Sequence, residues 1–169
     1  EGGVGLVVGE GAEGGGAAYV WLGAATAPPT GTPATAELNP SMSQDYAHLG
    51  SAVSSAVDVD GDGYSDVIVG AYCYTTDAGY GAGLAFIYRG GPDGIVHGAA
   101  QWLIEGIQAD SYFGNAACSG DFNGDGFSDV AVGAENYTNG QDLEGLTFLF
   151  YGNGGRGLAR IPRQWQTDG

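Results

Sequence analysis

The sequence predicts an all-β chain made of four-stranded antiparallel blades of the β-propeller type. Three observations carry this. A nine-residue acidic loop occurs twice, at Asp58–Asp66 and at Asp121–Asp129, 63 positions apart. Each copy runs into a short apolar segment, Val67-Ile68-Val69 or Val130-Ala131-Val132, with the length and β-branched content of a strand. Glycine is abundant, at 34 of 169 residues, beside 3 Trp, 10 Tyr and 6 Phe. That much apolar surface argues against disorder, so the glycines read as turns between many short strands. A period of roughly 40–60 residues with about four strands per unit is the pattern of propeller blades.

The elements follow in order. Residues 1–44 form a partial unit without an acidic loop, in which Gly5–Glu10 aligns with the strand after that loop and Tyr19–Gly23 with an aromatic strand. Residues 45–109 form a full unit with loop 58–66, and residues 110–169 a second with loop 121–129. Each opens on an apolar-Gly pair, Leu49-Gly50 or Phe113-Gly114, and continues as a strand of small residues into the loop. The next strand ends in Gly70-Ala71 or Gly133-Ala134. After a variable polar loop comes an aromatic strand, Leu84–Tyr88 or Leu146–Tyr151, with Tyr88 and Tyr151 again 63 apart. A glycine turn and a stretch holding Trp102 or Trp165 complete the unit. Strands apolar on both faces, such as Val67-Ile68-Val69 and Phe148-Leu149-Phe150, fit sheets stacked face to face. Gly114 to Asp121 is one residue shorter than Gly50 to Asp58, which predicts a bulge or a deletion. The total is about 2.7 blades. Both ends fall inside a unit, so the expectation is part of a larger propeller, or of a repeat or fibre assembly completed by a neighbour.

The loops carry the chemistry. Asp58, Asp60, Asp62 and Asp66, and likewise Asp121, Asn123, Asp125 and Asp129, place side-chain oxygens at positions one, three, five and nine. The backbone carbonyl of Tyr64 or Phe127 would come from position seven. Six to eight oxygens at about 2.3–2.6 Å are what Ca2+ requires. Gly63 and Gly126 stand at position six, where the chain turns sharply. An EF-hand is excluded: position twelve, which needs a bidentate Glu, is Val69 or Val132, and strands rather than helices flank the loop. The reading is two Ca2+ sites on loops between β-strands. The bland alternative is an Asp/Gly-rich turn that binds nothing.

These residues resemble FG-GAP repeats, the blades of integrin alpha-subunit propellers and of many bacterial surface proteins. The resemblance rests on Phe113-Gly114 with Gly133-Ala134-Glu135, on Leu49-Gly50 with Gly70-Ala71-Tyr72, and on the loop between each pair. It covers about residues 45–169 well and 4–44 weakly. It implies calcium-bound blades in a ring of more blades than this chain holds.

Charge narrows the partners. Four Arg and no Lys stand against 20 acidic residues, for a formal net charge of −16, and seven of the acids lie in the two loops. Nucleic acid and anionic membranes call for basic patches, and no apolar run reaches the ~18 residues of a membrane span. An acidic, calcium-loaded chain points to an extracellular or cell-surface setting. There a Cys73–Cys118 disulfide and two buried thiols are both open readings. Asn136-Tyr137-Thr138 is an N-glycosylation sequon, and Thr26–Glu37 is a Thr/Pro-rich loop that reads as an O-glycosylated or a plain surface segment. His48 and His97 lack zinc-ligand spacing. Gly152–Gly157 fits a dinucleotide pattern but precedes no amphipathic helix, so it reads as a turn. Tyr72, Tyr74, Tyr80, Tyr112 and Tyr137 lie near loops and fit a protein- or glycan-binding surface, while core or rim packing explains most of them equally well. No catalytic motif is present. The function expected is a non-catalytic, calcium-binding extracellular module for adhesion or ligand binding. The alternatives are a fibre or matrix segment that contacts copies of itself, and an accessory domain of a polysaccharide- or lipid-active enzyme.

Overall fold

A computed structural model describes residues 4–10, 15–22, 44–96, 102–154 and 158–165. The Thr/Pro loop, His97, Gly155–Gly157 and Gln166–Gly169 lie outside the described residues.

The described residues contain ten strands and no helix: β1 (Val4–Glu10), β2 (Ala17–Leu22), β3 (Leu49–Val57), β4 (Asp66–Ala71), β5 (Leu84–Tyr88), β6 (Trp102–Glu105), β7 (Phe113–Gly120), β8 (Asp129–Ala134), β9 (Leu146–Tyr151) and β10 (Ala159–Trp165). Among the described residues no helix is long and apolar enough to cross a membrane. Strands β3-β4-β5-β6 form one antiparallel sheet, β7-β8-β9-β10 a second, and β1-β2 a two-stranded hairpin. The fold is therefore all-β, with two four-stranded blades of the predicted strand order.

The core lies between sheets. Alternate residues of a strand point to opposite faces. Val67, Val69 and Ala71 pack toward the hairpin with Ala18, Val20, Leu49 and Leu84. Ile68 of the same strand packs toward the second blade, in a cluster with Ala85, Ile87, Phe113, Val130, Val132 and Phe150. This is why β4 is buried along its whole length. The outer strand β6 alternates half-buried and exposed positions instead, because only one of its faces is covered.

Neighbouring units are stitched by one repeated device. Gly16 bridges to Leu49 and Gly83 bridges to Phe113, both in parallel. The N–H of Leu49 donates to Gly15 O at 2.8 Å, and that of Phe113 to Ala82 O at 3.3 Å. The close approach explains the glycines of the two naming motifs. A Cβ on Gly70 would strike the carbonyl of Gly114, and one on Gly114 the carbonyl of Leu84.

Register corrects two details. Both β3 and β7 begin with a bulge, between Leu49 and Val53 and between Phe113 and Ala116. The extra residue of the first unit is a second bulge in β3, between Ser55 and Val57, where β7 pairs regularly. The aromatic strand is also offset from the sequence alignment. Val67 pairs with Tyr88, but its counterpart Val130 pairs with Phe150, not Tyr151. One residue is lost in the polar loop. The N–H of Gly83 donates to Tyr74 O, whereas that of Gly145, two residues after the exposed Leu143, donates to Tyr137 O. Structurally, Tyr151 stands in for Arg89.

Candidate metal centre

Each acidic loop joins the end of the first strand of a blade to the start of the second. Within it, carboxylates collect the N–H groups that a tight bend leaves without strand partners. Asp58 Oδ1 accepts from Gly61 at 2.6 Å and Asp62 at 3.0 Å, and its Oδ2 from Gly63 at 2.8 Å. Asp121 does the same with Gly124 at 2.7 Å, Asp125 at 3.1 Å and Gly126 at 3.0 Å. At position three, Asp60 Oδ1 accepts from Asp62 N–H at 3.2 Å, and Asn123 Oδ1 from Asp125 N–H at 2.9 Å. At position five, Asp62 and Asp125 accept from Tyr64 and Phe127, each at 2.9 Å. Gly63 and Gly126 take φ of 89° and 90°. Both have open space where a Cβ would go, so the need for glycine is conformational, not spatial.

Position nine is a clamp as well as a candidate ligand. Asp66 and Asp129 are fully buried. Asp66 accepts from Val59 N–H at 2.8 Å and from Gly90 N–H at 2.9 Å; Asp129 accepts from Phe122 at 2.8 Å and Gly152 at 3.0 Å. One carboxylate thus ties the start of the loop to the chain leaving the third strand. Burial pushes the Asp66 carboxyl up to about 7, against the pull of the two N–H donors. Burial also raises Asp60, with Asp62 adding to the effect and Arg89 opposing it.

Asp58, Asp60 and Asp66 each bring one oxygen within 4.8 Å of the others. An anionic set of hard oxygens, held by backbone donors and partly buried, fits Ca2+ better than a softer metal. Asp62 stands at position five of the first loop, outside that trio, and Asp121, Asn123, Asp125 and Asp129 occupy the corresponding positions of the second. Tyr64 and Phe127 stand at position seven, where each would offer its carbonyl.

The sequence did not reveal two further features of the loops. First, Arg89, immediately after β5, pairs through Nε with Asp60 and through Nη2 with Asp62 Oδ2 at 3.0 Å. In the second unit Tyr151 holds that place, and Asn123 Nδ2 donates to Asp125 Oδ2 at 2.9 Å. Second, the loops touch. The Phe127 ring fills the space beside Gly61 and Gly154, and Ser128 N–H donates to Asp58 O at 3.0 Å.

At the opposite end of the strands the aromatic residues divide. Tyr137 is buried and meets Phe148 edge-on at 5.6 Å, and Tyr74 packs on the core. Tyr72 and Tyr112 meet edge-on at 5.4 Å, His48 stacks on Tyr72 at 5.1 Å, and Tyr46 and Tyr80 are exposed. Tyr46 and His48, and at the matching positions Asp110 and Tyr112, all have φ between 56° and 61°. Side chains rarely adopt that backbone, and here both blades repeat it just before the first strand. Gln44 and Gln108 support these entries. Gln44 Oε1 accepts from Thr75 N–H at 2.8 Å. Gln108 holds Thr138 on both sides, accepting from its N–H at 2.7 Å and donating to its carbonyl at 3.0 Å.

The disulfide does not form: Cys73 and Cys118 are both free thiols, one half-buried and one exposed. Cys73 lies near Tyr112 and Asp110, at the start of β7. Cys118 is five residues along that strand from Phe113, about 15 Å at the usual strand rise, far beyond disulfide reach. Asn136 is half-buried, with its N–H donating to Ser111 O. Gly152–Gly154 leave β9 with a bend at Gly154, and among the described residues strand β10 comes next.

Comparison with known proteins agrees with this architecture. Residues 113–156 match the FG-GAP repeat family and residues 58–132 the FG-GAP-like repeat family. The chain is 34% identical over 128 residues to the phosphatidylinositol-glycan-specific phospholipase D of Rattus norvegicus, covering 72% of this chain and 15% of that protein. It is 35% identical over 102 residues to integrin alpha-PS2 of Drosophila melanogaster, covering 57% of this chain and 7% of that protein. Over 120 residues it is 31% identical to integrin alpha-3 of Mus musculus, covering 70% and 10%. The chain thus spans less than a sixth of the length of these relatives. Two blades of matching register, motif glycines at the points where blades cross and these similarities together make it an FG-GAP repeat protein.

Proposed function

We propose that the chain is a non-catalytic, calcium-binding β-repeat module of an extracellular or cell-surface protein. One Ca2+ sits in each acidic loop, on Asp58, Asp60, Asp62, Tyr64 O and Asp66, and on Asp121, Asn123, Asp125, Phe127 O and Asp129. The observation that carries this is the near-identical set of backbone donors that orients the oxygens in two independent copies. Without a cation, the four carboxylates of the first bend and the three of the second repel one another, so metal binding adds folding free energy. The partner face lies at the far end of the same strands. Tyr72 follows β4 and His48 precedes β3, so their aromatic group stands about 20 Å from the loops along a six-residue strand. Exposed Tyr46 and Tyr80 beside it suit a protein or glycan ligand. Asn136 fits an N-glycosylation site of such a protein.

At millimolar calcium, calorimetric titration should give two ions per chain. Asp62→Ala and Asp125→Ala should each remove one, and chelation should lower Tm by several degrees. Undiminished stoichiometry in either variant, or a Tm indifferent to chelator, would overturn the reading. A second reading draws on the similarity to phosphatidylinositol-glycan-specific phospholipase D: the module serves a lipid-active enzyme whose chemistry lies in another domain. Binding of this chain alone to phosphatidylinositol-glycan, without its hydrolysis, is the outcome that reading expects.

A further inference from the structure

We propose that Arg89 is a built-in competitor for the metal of the first loop, so that the two loops take up calcium unequally and the first fills last. The inference rests on the calcium reading above and adds how that site is regulated.

Arg89 engages two of the four side chains assigned to the ion. Its Nε meets the carboxylate of Asp60, whose side chain is almost wholly buried, and its Nη2 meets Asp62. The guanidinium takes up an Asp62 lone pair by hydrogen bond and sets its positive charge against the Asp60 carboxylate, where the metal would bind. To load the loop fully, calcium must displace that contact.

Comparison of the two units makes the point sharper. The first loop has four carboxylates, Asp58, Asp60, Asp62 and Asp66, set against Arg89. The second has three, because position three is Asn123, and the place of Arg89 is taken by Tyr151. Counted over the described side chains, each centre carries three net negative charges: the extra carboxylate of the first loop comes with a guanidinium held on it. If Asp60 served only to tighten metal binding, a cation held on it would defeat the purpose. The pair instead gives the first loop its own counter-ion when calcium is scarce. Among the described residues, the second loop sets the neutral Asn123 amide against Asp125 in that role. The first loop keeps its shape without the ion, and the second depends on it.

The test isolates each loop. In an Asp125→Ala background, calorimetric titration with calcium reports the first loop. Adding Arg89→Gln should tighten binding by about tenfold or more, with Arg89→Lys falling between. In an Asp62→Ala background the same Arg89→Gln change should leave the affinity of the second loop unaltered. Thermal unfolding supplies an independent readout: Arg89→Gln should lower Tm in chelator and not in excess calcium. First-loop affinity that is unchanged or weaker in Arg89→Gln overturns the proposal, and so does an equal change at the second loop. Calcium uptake at neither loop in any variant overturns the calcium reading itself, which separates the two failures.

Discussion

At the first acidic loop, one aromatic ring decides what a single added carbon would do. Gly61 and Gly124 hold the same loop position with nearly the same backbone, φ 77° and 78°. A Cβ on Gly124 meets nothing within 4 Å, whereas one on Gly61 collides with the Phe127 ring of the next unit. Gly124→Ala should therefore cost only the left-handed backbone strain, about 1–2 kcal/mol. Gly61→Ala should cost clearly more, because either the ring or the loop must move. Denaturant midpoints of the two variants check this, and equal losses would mean that Phe127 is not seated as described. The ligand positions themselves are legible in the sequence because they are local: alternate oxygens and a turn glycine are fixed by nine consecutive residues. Arg89 and Phe127 are not legible. Arg89 lies 27 residues from Asp62 in the chain, and nothing in a calcium loop calls for a cation. Phe127 reads as a carbonyl donor, and its ring matters only once a neighbouring blade is in place.

Among the elements, the strands are legible and their register is not. Val67–Val69 and Val130–Val132 can be recognised as strands from composition alone, and their burial on both faces follows from the sheets they lie between. Tyr88 and Tyr151 share a side chain and a spacing, yet they are not equivalent. The carboxylates of Asp66 and Asp129 mark the register by accepting from the N–H of Gly90 and of Gly152, and these two glycines are 62 residues apart, one fewer than the two carboxylates. The glutamines are likewise unremarkable in the sequence and specific in the structure. Gln108 satisfies both backbone groups of Thr138, 30 residues away. Losing partners for partly buried backbone groups costs about 1–3 kcal/mol each, so Gln108→Ala should lower stability by at least that amount. Gln44→Ala, with one such bond in place of two, should lose less. Urea titration of the pair measures the difference, and a larger loss at Gln44 would contradict the paired hydrogen bonds of Gln108 to Thr138.

For the whole molecule, the two blades share one apolar core at their boundary. Phe113 is 2% exposed; it meets Phe148 edge-on at 5.3 Å and Phe150 at 6.4 Å within its own blade, and joins Ile68 and Ile87 of the preceding blade in one cluster. Phe113→Ala should cost about 3–5 kcal/mol, the range for a buried Phe, and both blades should melt in the same lowered transition. Two separated transitions, followed by calorimetry, would show that the blades are energetically independent. The bridges Gly16–Leu49 and Gly83–Phe113 extend this to assembly. Hairpin meets blade and blade meets blade through one handshake, repeated without variation. A chain joined this way can gain or lose an entire module in evolution without inventing a new joint, since whichever copy comes next finds the same grip waiting.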